Sequence, residues 1–324
     1  MKTWKQQVIV VTGASSGTGR AIAVRLAKHQ PTLVLASRRE AALEQVAIEC
    51  RESGADVHIL VTDMRNANEV AHLADFAANL SGSIDVWVNN AGVLAAGALE
   101  EVPPAVNEQV ILTNLVGYIN GAHQVIPYFK KQGYGLLFNN ISVGGWVPTP
   151  FAAAYSASKF GLRGFSESLK GELSNHPNIH VIDLYPGFLD TPGIQHAANY
   201  TGKVIKPAPP VYDPMKVADS VVELIESPRS RATIGAASGF LRLAYTLFPK
   251  LSRNITAAVI RNYLRQADPI NHTAGNVLLP LEYGTSIHGA WEKKTNPRKS
   301  VLITAMLAAV AAGVIAYSHA GRKE

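Results

Sequence analysis

The stretch VVTGASSGTGR, residues 10–20, decides the fold. It opens as a β-branched run, turns through Gly13, Gly17 and Gly19 in the spacing G-x-x-x-G-x-G, and passes into a helical pattern. Residues without side chains let the backbone approach a pyrophosphate and let the following helix close onto the strand. The helix start adds unpaired N–H groups and the positive end of its dipole, both suited to phosphate. Ser15, Ser16 and Thr18, set among the glycines, complete this candidate cofactor turn. Many strand-to-helix connections need glycine, so the motif gains meaning only from its surroundings.

Outward from that turn the chain alternates short apolar runs with helical patterns. The runs are VIVV (8–11), TLVLA (32–36), VHILV (57–61), IDVWV (84–88), YGLLFNNIS (134–142), IHVIDLYPG (179–187) and RATIG (231–235). Helical patterns cover 18–29, 39–52, 67–80, a long segment around 105–131, 152–174 and 214–226. Such alternation implies βαβ units and an α/β fold: a doubly wound, Rossmann-type parallel sheet with helices on both faces. A helical extension follows at the C-terminus. These sheets bind ligands beyond the carboxyl ends of their strands. The unusual residues fall there: Gly13, Ser37 with Arg38, Asp63, Asn90-Ala91-Gly92, Ser142 and Pro186-Gly187.

After the second strand many dinucleotide sites place an acid that accepts from ribose hydroxyls. Here Ser37 is followed by Arg38 and Arg39, and a guanidinium can fork onto a 2′-phosphate that a carboxylate would repel. This predicts NADP(H) over NAD(H), with Arg20 a further nearby charge. The bland reading is two solvated arginines at a helix start. Asp63 is expected either to accept from the adenine amino group or to serve the turn before the next helix.

Taken in order, T-G-x-x-x-G-x-G at 12–19, N-N-A-G at 89–92, Asn114, Ser142, Y-x-x-x-K at 155–159 and P-G at 186–187 resemble the short-chain dehydrogenases/reductases over roughly residues 6–235. The resemblance implies hydride transfer between a nicotinamide and a carbonyl or alcohol, with Tyr155 exchanging the proton. A free phenol titrates at about 10, so a neighbouring ammonium is needed to favour phenolate. Lys159, four residues on, shares a helix face with Tyr155. Ser142 would hold the substrate oxygen at Tyr155. In the family, the residue matching Asn114 positions a proton-relay water and the lysine also holds ribose hydroxyls. Asn90 and Gly92 shape the adenosine side, Pro186 and Gly187 the nicotinamide side, and Thr191 is placed near the carboxamide. Family members commonly pair through helices matching 105–131 and 152–174, which implies a homodimer or homotetramer.

Residues 188–215 are expected to form a substrate lid, with Trp146, Val147, Phe151 and Ile194 as apolar lining or ordinary packing. A lipophilic carbonyl or alcohol fits such a pocket. Charge divides the chain. Residues 1–235 carry 19 Lys/Arg against 20 Asp/Glu, and residues 236–324 carry 11 against 4. The expected domains are thus a catalytic unit (1–235), a basic helical extension (236–298) and a C-terminal span (299–318). Basic clusters are usually a solvated face; the alternatives are anionic lipid or nucleic acid. No zinc-finger or RNA-stacking pattern favours nucleic acid, and no metal ligands are assigned. VLITAMLAAVAAGVIAY (301–317) is uncharged and flanked by basic residues. Its helix would be roughly 25 Å long, the lower limit for a bilayer. A buried or dimer-packing helix competes. The membrane reading places the catalytic domain on the cytoplasmic side; a cytoplasmic protein is the alternative. One cysteine, Cys50, excludes an internal disulfide, and the N-terminus has no secretory-signal pattern. A non-catalytic, membrane-attached NADP(H) sensor is the main competing function, and dehydration or epimerisation on the same scaffold a third.

Overall fold

The computed structural model describes residues 2–291. Nine strands and nine helices run along them. β1 (Val8–Thr12), α1 (Gly17–Ala27), β2 (Thr32–Ser37), α2 (Glu40–Glu52), β3 (Asp56–Val61) and α3 (Ala67–Ser81) form the first half. Next come β4 (Val86–Asn89), the short β5 (Ala95–Ala96), α4 (Pro104–Ile111), α5 (Gly117–Gln132) and β6 (Gly135–Asn140). The rest are α6 (Ala153–Glu172), β7 (Ile179–Pro186), β8 (Ala198–Asn199), α7 (Met215–Glu226), β9 (Arg231–Ile234), α8 (Ala236–Leu247) and α9 (Pro249–Gln266). Seven strands make one sheet in the order β3-β2-β1-β4-β6-β7-β9. Every pairing is parallel. The order reverses between β1 and β4, and that switch point opens a crevice beyond their carboxyl ends.

Both faces of the sheet are covered, so its central strands β1, β2 and β4 are largely buried and mostly apolar. Ile9, Val11, Leu33 and Leu35 face one way and pack with α1, α2 and α7 through Ile22, Leu26, Leu43, Val46 and Val221. Val8, Val10, Val34 and Trp87 face the other way, onto α3, α5 and α6 through Leu73, Val125, Phe129 and Leu169. The alternation of period two survives, with an apolar partner on each side.

The long helix expected at 105–131 is interrupted. Between α4 and α5, residues Leu112–Val116 form a π-turn with Asn114 at its centre. One residue is thereby added to the turn, a device that re-aims a side chain. Apolar periodicity continues through it, so the pattern alone does not reveal it.

Past β9 the chain leaves the sheet. α8 and α9 form a hairpin, and no residue of α9 is fully buried. Residues 267–291 then return across the molecule without regular structure. They bridge β8 antiparallel at Asn199↔Thr273 and continue over the carboxyl ends of the sheet. Among the described residues no helix is long and apolar enough to cross a membrane. The expected span at 299–318 lies outside the described residues.

Candidate active site

Gly13 has a positive φ of 64°, and a Cβ there would lie 2.7 Å from the Ala91 Cα. At Gly19 a Cβ would meet the Gly13 carbonyl oxygen at 2.1 Å. Turn and helix can therefore approach only without side chains. The Thr12 hydroxyl donates to the Val88 carbonyl and accepts from the backbone N–H groups of Asn90 and Ala91. Asn90 in turn donates through Nδ2 to the Thr12 carbonyl. Asn90 and Ala91 thus brace the turn, and Gly92 follows them along the crevice.

At the ends of β2 and β3 the charges are organised differently from the simplest expectation. Arg38 Nη2 donates to the Asn276 carbonyl at 2.6 Å. Burial, then the nearby Arg65 charge, pulls the Arg38 pKa below its ordinary value. Arg39 reaches Ser15 Oγ and the carbonyls of Leu281 and Tyr283. Arg20 forks onto Glu49 and donates to Thr285, so its charge is paired and it does not line the crevice. Burial alone would raise the Asp63 carboxyl, but the Arg65 side chain and N–H hold it below the usual range. Asp63 thus serves the turn before α3, the second of its two expected roles, while still lining the crevice. The N-cap of α3 is Asn66.

Ser142 follows β6 with φ 107°, a strained backbone for a non-glycine residue. Tyr155 and Lys159 lie one turn apart on α6. Gly144 lets them converge: a Cβ there would be 3.1 Å from Tyr155 Cε1 and 3.5 Å from Ser142 Oγ. Lys159 Nζ donates to the Asn140 carbonyl at 3.1 Å and stands 5.1 Å from the Tyr118 ring centre and 5.8 Å from that of Tyr155. Burial pushes the Tyr155 phenol up, partly offset by its hydrogen bond with Ser142. Burial also pulls the Lys159 ammonium down to about 7. Desolvation outweighs the mutual attraction expected of the pair and favours the neutral form of each.

Asn114, unlike Ser142, Tyr155 and Lys159, does not line the crevice. Its side chain accepts from the Val93 N–H, donates to the Val93 carbonyl and donates to Ser158 Oγ. Ser158 donates to the Tyr155 carbonyl at 2.7 Å. Asn114 therefore clamps the turn that carries Tyr155. Pro186 ends β7 and Gly187 follows it, and Thr191 packs beside Gly17. Of the expected apolar liners, Ile194 faces the crevice. Trp146 instead lies between the guanidinium groups of Arg163 and Arg242, at 4.0 and 3.9 Å, and Phe151 lines a separate groove against α9.

One cavity of about 380 Å³ joins these parts, from Arg38 and Asp63 through Gly13–Gly19 to Ser142, Tyr155, Lys159 and Thr191. Six buried side-chain polar atoms among the described residues have no hydrogen-bond partner. Four of them belong to crevice residues: Arg38 Nη1, Thr113 Oγ1, Asn140 Oδ1 and Asn276 Oδ1. Buried polar groups are normally paired, so this concentration fits a polar, elongated ligand such as a dinucleotide. Asn276, Pro280 and Leu281 were not legible in the sequence as site residues. Their segment has no periodic pattern; its only signals are Gly275, Gly284 and Gly289, where a Cβ would strike His196 or Thr191.

Sheet order, switch point and glycine cradle define a dinucleotide-binding protein of the Rossmann type. The short chain dehydrogenase family model matches residues 7–200. The chain belongs to the short-chain dehydrogenase/reductase family of oxidoreductases. A Bacillus subtilis (strain 168) protein described as the uncharacterized oxidoreductase YxnA is 30% identical over 99% of this chain and 92% of its own length. The 11-beta-hydroxysteroid dehydrogenase A of Sesamum indicum is 35% identical over 57% of this chain and 53% of its own. The crystal structure of an actinorhodin polyketide ketoreductase with NADPH aligns with a TM-score of 0.65 and 30% identity. That alignment covers 74% of this chain and 98% of the ketoreductase.

Proposed function

We propose that this protein is an NADP(H)-dependent carbonyl reductase or alcohol dehydrogenase for a lipophilic substrate. The bound cofactor would supply or accept the hydride. The observation that carries this reading is the single crevice that takes in Arg38 at one end and the Ser142–Tyr155 pair at the other. NADP-type cofactors are supported by Arg38 and by the absence of an acid at Ser37; the ketoreductase was crystallised with NADPH.

Within that reading, Gly13, Ser15, Ser16, Gly17, Thr18 and Gly19 cradle the pyrophosphate. Arg38 meets the 2′-phosphate, and Asp63, Asn90, Ala91 and Gly92 bound the adenosine side. Pro186, Gly187 and Thr191 bound the nicotinamide side. Ser142 Oγ holds the substrate oxygen beside the Tyr155 hydroxyl, which gives up its proton in reduction and takes one in oxidation. Lys159, close to neutrality by burial, is poised to exchange a proton near pH 7 and to bind ribose hydroxyls. Asn114 positions the Tyr155 turn. Leu94, Val143, Phe188 and Ile194 supply an apolar wall, in keeping with a lipophilic substrate and with the steroid named for the sesame relative.

The domain reading is a catalytic unit over 1–235, a basic extension over 236–298 that reaches back to the crevice at Asn276, Pro280 and Leu281, and a membrane anchor at 299–318, with the catalytic unit on the cytoplasmic side. Support comes from α8 and α9. Leu243, Leu247, Leu251, Ile255 and Val259 are exposed at four-residue spacing, and residues 236–266 carry five arginines or lysines and no acid. Such a surface suits anionic lipid. A homodimer or homotetramer would use α4–α5 and α6.

The test is NADPH oxidation with a panel of lipophilic ketones. Tyr155→Phe is expected to abolish turnover while leaving NADPH binding within about threefold of the parent protein. Unchanged turnover in that variant would refute the mechanism. Membrane fractionation with and without residues 299–324 checks the anchor; equal partition of both forms would refute it.

A further inference from the structure

The returning segment 267–291 is part of the crevice. The Asn276 carbonyl fixes Arg38 Nη2, and the carbonyls of Leu281 and Tyr283 fix Arg39. The Ser286 carbonyl accepts the Gly17 N–H at 2.9 Å, and the Thr285 carbonyl accepts from Arg20. At the far end, Asp190 Oδ1 accepts from the N–H groups of Gly289 and Trp291, and Trp291 Nε1 donates to the Thr191 carbonyl. The segment is thus tied down from Arg38 at one end to Asp190 and Thr191 at the other. All of it lies beyond the family match, which ends at residue 200.

Two atoms at the adenosine end stand out. Arg38 Nη1 is a buried donor without a partner, and Asn276 Oδ1 is a buried acceptor without a partner. Both residues line the same crevice, and they are joined by the bond from Arg38 Nη2 to the Asn276 carbonyl. No described residue is bonded to Asn276 Nδ2 either. A ligand that satisfies them offers an anionic acceptor beside a neutral donor. A 2′-phosphorylated ribose has both, a phosphate oxygen and the adjacent 3′-hydroxyl.

We propose that Asn276 is a second specificity-determining residue for NADP(H), reading the 2′-phosphorylated ribose together with Arg38. The inference rests on the NADP(H) reading above. Its backbone carbonyl holds the guanidinium so that Nη1 faces the phosphate. Its side-chain amide contributes Nδ2 to the phosphate and Oδ1 to the 3′-hydroxyl. Cofactor choice is then set partly by a segment more than 230 residues along the chain from Arg38.

Dissociation constants for NADPH and NADH, from quenching of tryptophan emission in the full-length protein, test this. Asn276→Leu keeps the volume and the backbone carbonyl and removes the amide. It is expected to weaken NADPH by about 3- to 10-fold, the effect of one or two lost hydrogen bonds, with a smaller change for NADH. Asn276→Asp places a carboxylate against the phosphate and is expected to lower the NADPH preference further, by about 10-fold or more. Neither side chain breaks an internal hydrogen bond, and melting temperatures without cofactor, within about 3 °C of the parent, verify the fold. If both variants keep the parent's NADPH-to-NADH ratio, the inference is overturned and the NADP(H) reading stands. If either binds NADPH more tightly than the parent, the side chain obstructs the subsite and the inference is overturned. If the parent protein shows no NADPH preference, the NADP(H) reading fails and the inference with it.

Discussion

Replacing Lys159 by Met should stabilise the protein while disabling it. Lys159 is 5% exposed, and burial lowers its ammonium from 10.5 to about 7. Between those values the unfolded chain binds a proton that the native protein does not. Stability of the parent therefore rises with pH from 7 to 10.5, and below pH 7 the cost of burying the group levels off. At about 1.4 kcal/mol per unit, the cost reaches a ceiling of about 5 kcal/mol at pH 7. The bond from Lys159 to the Asn140 carbonyl offsets about 1–2 kcal/mol of that. Lys159→Met is then expected to exceed the parent by about 3 kcal/mol at pH 7. Urea unfolding of both proteins at pH 7, 8 and 9 reads the difference directly, because other titrating groups cancel. The gap should shrink by about 1.4 kcal/mol per pH unit. A constant gap, or a variant less stable at pH 7, would refute the claim that Lys159 is held near neutrality by burial.

Other outcomes follow from the same geometry. Ser142→Ala should lower kcat by about 10²–10³-fold with little change in KM, as loss of a hydrogen bond formed to the reacting oxygen requires. A proportional rise in KM alone would assign Ser142 to binding. Arg38→Asp should weaken NADPH by at least about 100-fold and NADH little, read by equilibrium titration; an unchanged ratio would remove Arg38 from phosphate recognition. Gly19→Ala puts a Cβ 2.1 Å from the Gly13 carbonyl oxygen, so the turn must deform. Cofactor affinity should fall by more than about 10-fold, and calorimetric binding that matches the parent would show that the turn yields without consequence. Asp190→Ala removes the side-chain acceptor of the Gly289 and Trp291 N–H groups and leaves Gly289 the Asp190 carbonyl. Amide exchange at residues 285–291 should speed up while that of β1 and β4 is unchanged; uniform exchange would mean the segment is held elsewhere.

The sheet was legible because burial on both faces demands continuous apolar strands, and VIVV, TLVLA and IDVWV declare themselves. The turn from Gly13 to Gly19 was legible because close backbone approach leaves glycine as the residue that fits. Three features were not. The π-turn at Asn114 sits inside an unbroken helical pattern, since adding one residue to a turn leaves the apolar spacing nearly intact. The electrostatics of Tyr155 and Lys159 run against the pairwise expectation because desolvation depends on what covers both groups. Burial of that kind has no signature four residues apart. The covering segment itself is anchored by its backbone: carbonyls of Asn276, Leu281, Tyr283, Thr285 and Ser286 serve Arg38, Arg39, Arg20 and Gly17. Any residue type supplies a carbonyl, so such contacts leave almost no trace in the sequence.

The roof over the crevice is the last described part to be synthesised. While residues 276–291 are still within the ribosome, the nascent sheet presents two uncapped guanidinium groups and a bare helix start to the surrounding solution. An anionic dinucleotide bound at that stage would add its binding energy to the immature fold.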